Sequence, residues 1–309
     1  MRPLDAVSAP LPIDSPGMSP HPFSEIIPTA RRATVVVSAV LTLGCYPKSS
    51  DMIDSMLTAT PPSSSTASMG EALRRLSQRQ IYFGHQSVGS NLMAGVEQIL
   101  NENGDVGLKL VETHGTERIS GPAFVHFAVG RNEDPESKNA AFLSVLDARP
   151  TRDSAIALMK YCYIDVNAGT DIDALFRSYR GLVAEVKRRH SDVTLVHVTM
   201  PLTTDAAGPK ATIKRLLGRT TARELNLKRS HFNDLMRQEF AREPLFDLAA
   251  LEAARPDGTV ERVTVGGHTV MALAREYTSD GGHLNKTAER RFASELLSLL
   301  ASVPAHRNQ

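Results

Sequence analysis

The chain has 309 residues, a formal net charge of +1, and 35 Lys and Arg against 34 Asp and Glu. That balance creates no field to gather nucleic acid, and aromatics, at 5%, are too sparse for a base-stacking platform. With 41% hydrophobic residues it can bury a sizeable core, and its two cysteines, Cys45 and Cys162, form neither a CxxC nor a Cys/His zinc cluster.

Residues 1–30 are rich in Pro, Ser and small side chains. Arg31 and Arg32 then precede an apolar run from Ala33 to Gly44. A positive segment ahead of a short apolar one has the layout of a secretory signal. The run is about a dozen residues, short of the roughly 20 that a transmembrane helix needs. It ends Leu41-Thr42-Leu43-Gly44-Cys45, which resembles a bacterial lipobox, where the Cys takes a lipid. Thr42 stands where Leu is usual, and a bulky Tyr46 follows. Lipidation at Cys45, a cleaved signal and an uncleaved anchor are the three readings. The first two place the protein in the periplasm, in the cell envelope or outside the cell. The signal is unusually internal, so Met18 is a candidate start. Residues 46–68, with Pro61-Pro62-Ser63-Ser64-Ser65, read as a flexible tether, and the folded domain is expected over 69–309.

Within that domain, 69–78 reads as a short amphipathic helix and 80–84 as an apolar strand. A helix over 88–101 follows from the spacing of Leu92, Val96, Ile99 and Leu100. Residues 107–112 and 123–129 are β-rich. Asp134-Pro135 opens a helix to about 147, with an N-cap and a first-turn proline. The apolar run 154–164 reads as a buried central strand. Helices over 171–190 and 221–242 flank a strand over 193–200. A short strand over 245–248 and a closing helix over 286–301 complete the pattern. Strands alternating with helices predict an α/β fold, a mostly parallel sheet covered on both faces. Such sheets place their chemistry beyond the carboxyl ends of the strands.

At the first strand end the chain reads Gly84-His85-Gln86-Ser87-Val88-Gly89. A serine opening a helix sits beside free N–H groups and a positive dipole end, which stabilise a nearby oxyanion. Ser is also a favoured helix cap, and this segment alone does not separate the two roles. The second segment, Thr278-Ser279-Asp280-Gly281-Gly282-His283, lies just before the last helix. A serine hydroxyl needs a base to become a nucleophile, and His283 is suited to the task. Asp280, three residues earlier on a Gly-rich turn, can curl back to orient the imidazole.

These two motifs, in this order, resemble those of the SGNH/GDSL hydrolases over about residues 80–300. The resemblance implies a three-layer α/β/α sandwich and no cofactor. It implies Ser87 as nucleophile, His283 as base then acid, and Asp280 as orienter. A small-molecule or carbohydrate ester, such as a sugar acetate, is the implied substrate class, with hydrolysis and acyl transfer both open. The sequence departs from the pattern twice. Gly-Asp-Ser is replaced by Gly84-His85-Gln86-Ser87, and the usual Gly-x-Asn-Asp block by Tyr161-Cys162-Tyr163-Ile164-Asp165-Val166-Asn167. A binding lipoprotein that has lost catalysis is therefore the alternative.

The oxyanion hole is expected from the Ser87 N–H with Gly130 and Asn132, where Asn132 is equally a turn residue; Asn167 competes with it. His85 and Gln86 are candidate substrate contacts or packing residues. Lys160 and Asp165 bracket the central run, as an ion pair or as substrate contacts. Cys162 reads as a core residue, His126 as structural, and Lys187 to His190 as cations complementing a helix end. A metal site from His85, Asp280 and His283 would lack both a His-x-x-x-His pair and a carboxylate cluster, so no metal is assigned.

Overall fold

The computed structural model describes residues 68–114, 117, 119–151, 153–205 and 220–304. The expected signal, Cys45 and nearly all of the tether lie outside the described residues.

A helix, α1 (Met69–Leu76), leads into β1 (Gln80–His85), which is buried along its whole length. Next come α2 (Val88–Asn103), β2 (Leu110–Thr113), β3 (Ala123–Ala128) and α3 (Pro135–Asp147). Then follow β4 (Ala155–Met159), α4 (Ile172–Arg189), β5 (Val193–Val198) and α5 (Ala222–Glu239). The chain continues through β6 (Leu245–Phe246), α6 (Leu248–Ala253), β7 (Arg262–Val265), β8 (His268–Met271) and α7 (Lys286–Ser302).

Six strands form one parallel sheet in the order β2-β3-β1-β4-β5-β6. Alternation along β1 separates the two faces. Ile81 and Phe83 join Leu92, Val96, Phe292 and Leu296 of α2 and α7 on one side. Tyr82 joins Phe142, Phe176 and Phe232 of α3, α4 and α5 on the other. Both sheet faces are thus covered, giving the three layers expected. β1 lies between β3 and β4, so the chain leaves it first toward one edge and later toward the other. That reversal opens a crevice at the carboxyl end of β1, where open α/β sheets place their ligands.

Local chemistry sets the element ends. Asp134, Asp171 and Asn285 each accept a backbone N–H three residues on, and Thr221 with Glu224 forms a capping box. α2 and α7 approach closely at Gly95, where a Cβ would stand 2.1 Å from the Glu289 carbonyl oxygen.

Three elements differ from the sequence reading. The run 154–164 stops as a strand at Met159 and bends into a one-turn 3₁₀ helix, Tyr163–Asp165. The Asp165 carboxylate is buried, and it turns the chain by accepting the Cys162 N–H at 2.7 Å. The strand over 245–248 is two residues long, because Asp247 caps α6 by accepting from Ala250 N. The antiparallel β7-β8 hairpin goes unread, although Gly266-Gly267, both at positive φ, is the signal for such a turn.

Candidate active site

Ser87 follows β1 directly and holds φ 54°, ψ −112°. It and Glu133 are the only non-glycine residues at positive φ among the described residues. Such a conformation costs on the order of 1–3 kcal/mol and persists where its surroundings impose it. Here α2 begins so close to the strand that a Cβ at Gly89 would stand 2.3 Å from the His85 Cβ. Ser87 occupies the N-cap position, yet its hydroxyl makes no capping hydrogen bond. Its carbonyl starts the helix by accepting from Ser90 N at 2.8 Å, and its Oγ lies 2.6 Å from His283 Nε2. The strained backbone therefore turns the hydroxyl out of the cap and onto the imidazole.

His283 lies on a loop closed by a bridge between Thr278 and Leu284. Its Nδ1 is 2.6 Å from Asp280 Oδ2. A carboxylate only accepts, so Nδ1 carries the proton and Nε2 is left to accept from the serine hydroxyl. Asp280 Oδ1 accepts from the backbone N–H of His283 at 2.8 Å and of Gly282 at 2.9 Å, and from Thr278 Oγ1 at 3.2 Å. His283 first, then these N–H groups, hold its carboxyl well below the usual carboxylate range. Two outside contacts brace the loop. Thr204 N donates to Gly281 O at 2.9 Å, and Leu284 N donates to Asn91 Oδ1 at 3.2 Å. Asn91, one helical turn beyond Ser87, also donates to Glu289 Oε1 at 2.8 Å, tying both Ser87's helix and the His283 loop to α7.

The loop after β3 comes to the same crevice. Gln86 Nε2 donates to Val129 O at 2.5 Å and to Gly130 O at 2.7 Å. Its N–H₂ is thus occupied in holding that loop beside the serine. Gly130 has φ 46°, and a Cβ there would stand 2.5 Å from the Lys138 backbone nitrogen, so only glycine fits. Asn132 is exposed, and its Oδ1 accepts from Lys138 Nζ at 3.2 Å, which leaves its N–H₂ directed away from that lysine. Asn167 makes a local turn instead, accepting from Gly169 N at 2.9 Å.

The remaining candidates are interior groups. His85 is 5% exposed, and its Nε2 lies 3.2 Å from His126 Nδ1. Burial, then His126 and Lys160, push its pKa down to about 3, so it packs as a neutral ring beside His126. Asp165 pairs with Lys138 rather than Lys160; both side chains are fully buried, at 2.6 Å. Its oxygens also take Glu133 N and Cys162 N, so none is left for a substrate. Lys160 is buried, with Nζ 3.4 Å from Cys162 Sγ, and burial lowers its pKa. Lys187, Arg188, Arg189 and His190 pair with Glu243, Glu185 and Asp147. Among the described residues no group of three or more His, Cys, Asp or Glu is arranged to hold a metal ion.

Tyr163 lies beside His283, a placement that the sequence gives no means of assigning. Its ring meets the His283 imidazole edge-on, with centroids 5.8 Å apart. Asn91 has one legible signal, its four-residue spacing from Ser87 along the helix.

No known family profile matches the sequence, and no curated protein matches it. Solved structures do. A protein from Streptococcus pneumonia, described as a platelet activating factor, shares 12% identity over 82% of this chain and 97% of its own, with a TM-score of 0.44. An SGNH hydrolase from Slackia heliotrinireducens shares 16% over 72% and 97%, with a TM-score of 0.41. An acetyl xylan esterase shares 14% over 71% and 98%, also at 0.41. The solved structures to which this chain is similar thus include SGNH/GDSL hydrolases.

Proposed function

We propose that this chain is a serine esterase of the SGNH/GDSL kind, working through Ser87, His283 and Asp280. The observation that carries the reading is the hydrogen-bond chain from Ser87 Oγ through both imidazole nitrogens to Asp280, set on a serine whose strained backbone withholds it from capping.

The chemistry follows from that chain. His283 Nε2 takes the Ser87 proton as Oγ attacks the ester carbonyl carbon. The carbonyl oxygen becomes an oxyanion beside the Ser87 N–H and the Gly130 loop. The tetrahedral intermediate collapses, the carbon–oxygen bond to the alcohol breaks, and His283 returns the proton to the departing oxygen. Water then attacks the acyl-serine with His283 again as base, releasing the acid and restoring Ser87. A second alcohol in place of water would make the reaction acyl transfer.

Asp280 and His283 are half exposed, which suits a short acyl group on a larger alcohol better than a long chain needing a deep tunnel. A sugar acetate fits that description. The apolar run before Cys45 supports export, and a lipid on Cys45 would tether the enzyme to a membrane.

A serine-directed fluorophosphonate tests the reading on the full chain. Label is expected on the peptide bearing Ser87, and its rate should collapse in His283→Ala. Label absent from Ser87, or indifferent to His283→Ala, overturns the esterase reading and favours a binding protein.

A further inference from the structure

We infer that the Tyr163 hydroxyl donates a hydrogen bond to the oxyanion formed at Ser87, beside the Ser87 N–H and the Gly130 loop. The inference rests on the esterase reading above and deepens it.

Position comes first. Tyr163 opens the 3₁₀ turn after β4, the strand beside β1, so the topology brings it to the crevice that holds Ser87. Its ring stands edge-on to the His283 imidazole, with centroids 5.8 Å apart, and that imidazole's Nε2 is 2.6 Å from Ser87 Oγ. Its Cζ and Oη lie 2.9 and 3.0 Å from where a Cβ at Gly282 would stand. Any side chain at 282 would therefore displace the phenol from the triad.

The phenol is also held in advance. Arg229, 2% exposed, donates from Nε to the Tyr163 carbonyl at 3.0 Å, with its guanidinium 5.8 Å from the ring centroid. Asn226 Oδ1 and Thr203 Oγ1 fix that guanidinium at 2.7 and 3.1 Å. The Asp165–Lys138 pair anchors the other end of the same turn. A donor fixed before reaction needs no reorganisation when charge develops. Burial and the negative charge of Asp280 raise the phenol's pKa, so it keeps its proton at neutral pH.

A ring that only walls the pocket would be replaced by Phe without loss; a donor would not. Tyr163→Phe keeps the contacts with His283 and Gly282 and removes one O–H. In the full chain, turnover of a short aryl acetate is expected to fall about 10²-fold in kcat, with KM moving less than about 3-fold. Affinity for an aryl boronic acid, which forms a tetrahedral adduct on serine, should fall in parallel. If Ser87→Ala abolishes turnover while Tyr163→Phe stays within about 3-fold, the Tyr163 role is overturned and the esterase reading stands. If Ser87→Ala leaves turnover intact, the esterase reading fails first.

Should Tyr163→Phe fold poorly, 3,5-difluorotyrosine at 163 keeps the ring and acidifies the phenol. The titratable groups facing it are His283, Asp280, Cys162 and Arg229, none of which this change removes. Activity should then be lost at a lower pH than in the parent. An unchanged profile overturns the role.

Discussion

The buried pair of Lys138 and Asp165 allows a worked test of how the crevice is held. Lys138 Nζ lies 2.8 and 2.6 Å from the two carboxylate oxygens, and neither side chain reaches solvent. Asp165 also accepts from two backbone N–H groups, at 2.9 and 2.7 Å. Lys138 has, besides the carboxylate, only the Asn132 side-chain oxygen at 3.2 Å. The two partners are therefore unequal when one is removed. Asp165→Asn leaves a buried ammonium almost alone and turns an amide N–H₂ toward it, at a cost of about 3–5 kcal/mol. Lys138→Met leaves a carboxylate that still holds two N–H groups, and should cost about 1 kcal/mol less or better. The double variant removes both charges and should be more stable than Asp165→Asn alone. Urea unfolding measures all three, and a domain of this size should lose about 6–20 °C in Tm for Asp165→Asn. A cost under about 1 kcal/mol for Asp165→Asn, or a larger one for Lys138→Met, would refute this account of the pair.

Two further predictions concern packing and pH. Gly95→Ala should destabilise by about 2 kcal/mol, because its Cβ would meet the Glu289 backbone. Gly181→Ala on α4, with nothing within 4 Å, should stabilise by up to about 1 kcal/mol, and denaturant midpoints of both variants check the opposite signs. Glu252 is fully buried, with Oε2 accepting from Leu202 N at 2.6 Å and Oε1 without a partner; burial pushes its pKa up to about 8. The folded state thus keeps a proton that the unfolded chain loses above about pH 4.3, so stability should fall as pH rises from there to about 8. Glu252→Gln should remove that slope, at most about 1.4 kcal/mol per pH unit, and unfolding at pH 5 and pH 7.5 reads it. An identical slope in the variant would mean that Glu252 does not carry it.

Much of the site is legible in the sequence because its parts are local. Asp280 and His283 are three residues apart on one turn, and Ser87 follows a strand that announces itself by composition. The alternation of strands and helices places both motifs at the same end of the sheet. What is not legible depends on which distant residues share the interior. Lys160 and Asp165 look like partners along the chain, yet Asp165 pairs across 27 residues with Lys138. Gln86 and His85 flank the serine, but one holds the Gly130 loop and the other packs on His126. The run 154–164 is apolar enough for a longer strand; the carboxylate at its far end, which needs donors in the interior, ends it early. Tyr163 reaches the His283 ring only because that turn forms.

The most direct test of the central claim is turnover of a short aryl acetate by the full chain beside its Ser87→Ala variant, both checked for the same melting temperature. Turnover by the parent and its near-complete loss in the variant is the predicted result. Equal turnover by the two proteins would contradict it.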